Sequence, residues 1–102
     1  MEGLELISFE IISNVGMSKS LSIEAIREAR KGNYEMADEN LKRANQYLTD
    51  GHHAHASLIQ QEAAGEKVDF SLILMHAEDQ MMSAEIIKSL VEEMIEMYKD
   101  LK

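Results

Sequence analysis

The chain has 102 residues, with 10 Lys+Arg against 19 Asp+Glu for a formal net charge of -9, and it contains neither cysteine nor proline. That length holds one domain around one core, and 45% hydrophobic with 28% charged residues is the balance of a chain that folds. The acidic surplus, with no basic run longer than Arg30-Lys31, argues against a nucleic-acid phosphate track or an anionic membrane surface, so charged partners are expected to be basic. Without cysteine there is no disulfide, thiolate nucleophile or Cys-built metal centre, and a reducing compartment is weakly favoured. No stretch approaches the roughly 18 apolar residues of a membrane helix, and the N-terminus has no basic region leading into an apolar one. A cytoplasmic protein is expected.

The missing proline, and the absence of long apolar-polar alternation, predict an all-α chain of three antiparallel helices in a single domain spanning 1–102. The first helix is expected over Gly3 to Lys31, ended by the cationic pair Arg30-Lys31 and then Gly32. Asn33 is the expected N-cap of the second helix, over Tyr34 to Ala64. Its buried stripe runs through Ala37, Leu41, Ala44 and Leu48 and continues into His52 and His55, whereas His53 projects about 160° away from Ala37. Asp38 with Lys42 and Glu39 with Arg43 have the spacing of surface ion pairs. Gly16 and Gly51 fall inside helices and are expected to allow close backbone approach. Gly65 stops the second helix, and Asp69 is expected to cap a third over Phe70 to Leu101.

With Ile86 set to zero at about 100° per residue, Ile86, Leu90, Met97, Leu101, Met94, Ile87, Tyr98, Val91 and Ile95 fill an arc of about 180° on the third helix. Half a helix circumference exceeds what two neighbours in an isolated bundle cover, which predicts a homo-oligomer. Asp79, Ser83, His76 and Gln80 fall inside that arc near 20°, 60°, 80° and about 120°, while Glu78 projects to the solvent side. A carboxylate buried there needs compensation by a metal, a histidine, or protonation with carboxyl hydrogen bonding across a symmetry axis. Folding the second and third helices as a hairpin about Lys67 sets His55 level with Asp79, so His55, Asp79 and His76 are expected to cluster. The pair His52 and His55 has metal-ligand spacing, yet no HExxH sequence accompanies it. Neither a Gly-rich phosphate loop nor a Ser/His/Asp order is visible, and the methionines read as core packing.

The run HAEDQMM at 76–82, preceded by LIQQEAAGEKVDFSLILM at 58–75, resembles the enzyme IIA component of the lactose/cellobiose phosphotransferase system, whose pattern reads approximately HAQDHLM. Phe9-Glu10-Ile11, Gly16, Ser20, Glu24-Ala25, Ala29, Gly32 and His52 extend the resemblance along essentially the full chain. The resemblance implies a three-helix bundle assembling as a homotrimer. It implies that His76 is the phosphorylated residue and Asp79 the metal-associated carboxylate at the trimer axis, with Mg²⁺ as the expected ion. A member accepts a phosphoryl group from the phosphocarrier HPr and passes it to a cysteine of a IIB component, which phosphorylates a β-linked disaccharide or related β-glucoside during uptake. The acidic surface suits a carrier that presents basic residues around its own histidine. The competing reading is a non-catalytic helical adaptor or regulator of the same fold. Two departures stand out. Gln80 replaces the family's second histidine, and His55-Ala56 replaces its usual Gln-Thr, so His55 is expected to take over from the facing helix. Gln80 can donate a hydrogen bond but carries no charge.

Overall fold

A computed structural model describes residues 3–101, so the outermost residues of the expected 1–102 domain lie outside the described part. Glycine chemistry sets the helix stops. Gly32 and Gly65 have φ of 88° and 87°, the left-handed conformation that a side chain resists. Around each, the same pair of bonds closes the helix: the Asn33 and Gly32 amides donate to Glu28 and Ala29 carbonyls, and the Glu66 and Gly65 amides donate to Gln61 and Glu62 carbonyls. These are Schellman caps. The helices are α1 (Gly3–Arg30), α2 (Tyr34–Ala63) and α3 (Leu72–Asp100), and the described residues contain no strand.

Two expected caps are corrected. Asn33 makes no side-chain bond to the start of α2, because its Nδ2 donates to Glu28 Oε2 at 2.8 Å instead. Asp69 and Phe70 belong to the extended link before α3, and Ser71 is the cap, its hydroxyl accepting from the Leu74 amide at 3.0 Å. A serine hydroxyl satisfies one of the orphan amides that open a helix as well as a carboxylate does.

α1 packs along both other helices, which touch each other much less. Ile11 and Val15 join Leu48, Ala77, Met81 and Ala84 in one core cluster, and Ala25 and Ala29 join Ala37, Val91 and Ile95 in a second. Small residues on α1 allow this dual role. Ser8, Ser18 and Ser22 are fully buried beside the apolar ones; Ser8 donates to the Leu4 carbonyl, whereas the Ser18 and Ser22 hydroxyls have no partner. Among the helical glycines Gly3, Gly16 and Gly51, a close approach is found at Gly51, where a Cβ would lie 2.9 Å from Val15 Cγ1; nothing lies within 4 Å of one at Gly3 or Gly16.

α2 and α3 are joined mainly through polar side chains. Tyr34 donates its hydroxyl to the Tyr98 carbonyl at 3.1 Å, and Lys99 Nζ donates to Asp38 Oδ1 at 3.2 Å. That hydrogen bond to Asp38 holds the Lys99 ammonium above the usual lysine range, outweighing desolvation. Among the described residues Asp38 thus pairs with Lys99 instead of Lys42, and the expected Glu39–Arg43 pair is not formed either. At Asp38 a charge on the neighbouring helix outcompetes the next turn of its own.

Candidate functional site on the outer face of the third helix

The structure divides the apolar arc of α3 in two. The part from about 100° to 180° is core and holds Val91 and Ile95, which are buried. The part from about 0° to 80° faces outward, and there Ile86, Leu90, Met94, Met97 and Leu101 are all exposed. Leu72, Met75 and Met82 extend this stripe toward the start of the helix. Asp79 and His76 lie on it. Both are exposed rather than buried, correcting the expectation for Asp79, and neither makes a hydrogen bond or ion pair among the described residues. Together with Leu72 and Met75 they line a shallow hollow.

The expected grouping of His55, Asp79 and His76 does not form. Folding about Lys67 gave the correct height, but the side chain that His55 meets is Glu78, with Nε2 lying 2.6 Å from Oε2. His52 pairs with Glu85 two turns further along α3 and is half exposed rather than buried. Glu78 and Glu85 thus reach toward α2 while their side chains stay nearly half exposed to solvent. The physical reason is angular. Residues 76 and 78 are about 200° apart on a helix, so whatever meets Glu78 stands away from His76. The alternation of two histidines on α2 with two glutamates seven residues apart on α3 was the sequence signal for this clasp.

The other edge of the stripe faces α1. There Lys19 Nζ donates to Gln80 Oε1 at 2.5 Å. Gln80 follows His76 by four residues and is displaced from it by only about 40° around the helix. Sequence reasoning did not single out Lys19, because nothing in its own segment shows which residue of α3 it reaches.

Of the four histidines, His52 and His55 are held by carboxylates, while His53 and His76 carry no partner. His53 is on the polar outside of α2. His76 alone combines an accessible imidazole with an apolar surround, which leaves an unshared nitrogen pair available to an electrophile. A three-helix bundle presenting a free histidine on an outward face has the makings of a group-transfer carrier.

Comparison with known proteins agrees. The profile of the family described as "PTS system, Lactose/Cellobiose specific IIA subunit" matches residues 6–99, and the chain belongs to that family. An oligo-beta-mannoside-specific EIIA component of Bacillus subtilis is 41% identical over 95 residues, covering 93% of this chain and 86% of that protein. The crystal structure of a cellobiose-specific enzyme IIA from Bacillus anthracis superposes with a TM-score of 0.95 at 40% identity, over 99% of this chain and 93% of that one. A IIA(chitobiose)-HPr complex contains a chain that superposes with a TM-score of 0.87 at 28% identity, covering 99% of this chain and 98% of its own.

Proposed function

We propose that this protein is the phosphoryl relay of a β-glycoside uptake system in the cytoplasm, receiving phosphate from HPr on His76 and delivering it to a cysteine of a IIB component. The carrying observation is the exposed, unpartnered imidazole of His76 within HAEDQMM on the outer face of α3. In the first transfer the unshared pair of a His76 ring nitrogen forms a bond to phosphorus as the donor's N–P bond breaks. The breaking bond's pair stays on the donor imidazole. In the second, the IIB thiolate attacks phosphorus and the His76 nitrogen leaves with its pair. Such displacements ask the protein chiefly for position and charge stabilisation. An exposed His76 suits a site that two different partners must approach in turn. A non-catalytic adaptor would have no use for a free imidazole in an apolar surround.

The exposed stripe supports assembly as a homotrimer. Three copies packing through Ile86, Leu90, Met94 and Met97 would cover the middle of it and bring three Asp79 carboxylates together at the axis, with His76, toward the edge of the stripe that faces α1, left open to partners. Within one chain, no group of three His, Cys, Asp or Glu among the described residues could hold a metal. Three Asp79 side chains supply hard oxygen donors, which fit a divalent cation such as Mg²⁺. The ion would neutralise the axial carboxylates, while transfer itself involves His76.

Two measurements test these readings. After incubation with phosphoenolpyruvate, enzyme I and HPr, intact mass should show one added, acid-labile phosphoryl group, and His76→Ala should show none. An unmodified wild type, or equal modification of His76→Ala, overturns the assignment. Light scattering should give a trimer mass for wild type and a monomer for Leu90→Asp. Asp79→Leu should keep the trimer and abolish any loss of heat stability on chelation, because an apolar residue continues the stripe and removes like-charge repulsion. A concentration-independent wild-type monomer overturns the trimer.

A further inference from the structure

Phosphorylating His76 places a dianionic group on a chain whose formal net charge is already -9. Some cation must offset that charge. The family pattern supplies a second histidine four residues after the first; here that position is Gln80, which cannot be charged. His55 does not fill the gap, because Glu78 holds it across the helix from His76.

We infer that Lys19 is the phosphoryl-stabilising cation of this protein, delivered from α1 to the His76 edge of α3 by Gln80. Three observations carry this. The Lys19 ammonium donates to Gln80 Oε1 at 2.5 Å, and Gln80 stands one turn along α3 from His76, about 40° from it on the side toward α1. Lys19 is half-buried between α1 and α3, so its reach is confined. The third is the state of its charge: Arg27, Lys31, Lys88 and Lys99 each face a carboxylate, whereas Lys19 is held by a neutral amide oxygen. An amide oxygen orients an ammonium without cancelling its charge. A glutamate at position 80 would have compensated it.

Before transfer, the unmodified His76 presents no phosphoryl charge for Lys19 to offset. As the N–P bond forms, with the donor imidazole keeping the pair of the bond it loses, the three phosphoryl oxygens bring negative charge to the edge where Lys19 stands. The ammonium then has protons to donate to a phosphoryl oxygen, and a charge-assisted hydrogen bond results. Lys19 takes no part in bond making, and Gln80 is the positioning residue.

This rests on His76 being the phosphorylated residue, and the test separates the two claims. The quantity to measure is the equilibrium distribution of phosphate between HPr and this protein, in the purified full-length chain, for wild type, Lys19→Gln, Lys19→Arg and Lys42→Gln. An equilibrium constant is indifferent to how well HPr docks, so it reports the stability of phosphohistidine itself. Lys19→Gln should shift the distribution toward HPr by about fivefold, while Lys19→Arg stays within about twofold of wild type. Lys42→Gln, an exposed charge on α2, should match wild type. Raising the salt concentration should move wild type toward the Lys19→Gln value and leave that variant nearly unmoved. Circular dichroism should be the same for all four. If wild type is phosphorylated on His76 and Lys19→Gln shares its equilibrium and salt response, Lys19 has no such role and the relay stands. If wild type takes no phosphate, both claims fall.

Discussion

The two borders of the outer stripe on α3 are built from opposite chemistry. Toward α2, His52 with Glu85 and His55 with Glu78 close each cation-capable ring against a carboxylate. Toward α1, Lys19 among the described residues meets the amide of Gln80 and no carboxylate. Packing explains the contrast. α1 is the helix that both others bury their apolar faces against, through Ile11, Val15, Ala25 and Ala29. That border is fixed by apolar burial and can leave a cation uncompensated. α2 and α3 share little apolar contact, so polar pairs join them along their length. The clasp ties α3 to α2, while the α1 border, already fixed by the core, is free to serve the histidine beside it.

The comparison breaks first at the core. Ile95, 1% exposed, lies in the cluster shared by α1, α2 and α3, and Ile95→Ala should cost about 2–5 kcal/mol in a denaturant titration, a transfer loss plus a cavity. No single change in the clasp should approach that. The clasp itself is sharpened by a double-mutant cycle. His55→Gln and Glu78→Gln together exchange the imidazole-carboxylate contact for two amides that can bond each other. Each single change should cost about 0.2–1 kcal/mol, and the pair less than the sum of the two. Because His55 stands away from His76, His55→Gln should leave phosphohistidine lifetime unchanged; a shortened lifetime would restore it to the site. His53→Gln, an exposed and unpartnered residue, gives the smallest effect, within about 0.5 kcal/mol of wild type.

Much of this was legible along the chain. Gly32 and Gly65 mark both turns, since their left-handed conformations are local requirements that a glycine announces. The pivot near Lys67 followed from helix lengths alone, and the levels of His55 with α3 and of Asp38 with Lys99 agree with it. Pattern also showed that α3 has more apolar surface than a lone bundle covers. What it could not do was divide that surface. An arc of about 180° does not say which half faces the core, so Asp79 read as buried when it is exposed, and the contact of the partly solvated Glu78 with His55 on α2 went unseen. Likewise Ser71 and Asp69 are both competent caps, and only the path of the link before α3 chose between them.

The sequence by itself determined three helices, their stops, their antiparallel order and the histidine that distinguishes HAEDQMM, because periodicity, turn residues and short motifs act within a few residues of one another. The tertiary structure alone decided which partner each polar side chain took. Lys19 is 61 residues from Gln80 and His55 is 23 from Glu78. Pairing over such separations depends on the rotation of each helix about its axis, and that rotation is set by how Ile11, Val15, Ala25 and Ala29 seat against the other two helices, a property of the packed core that no single segment carries.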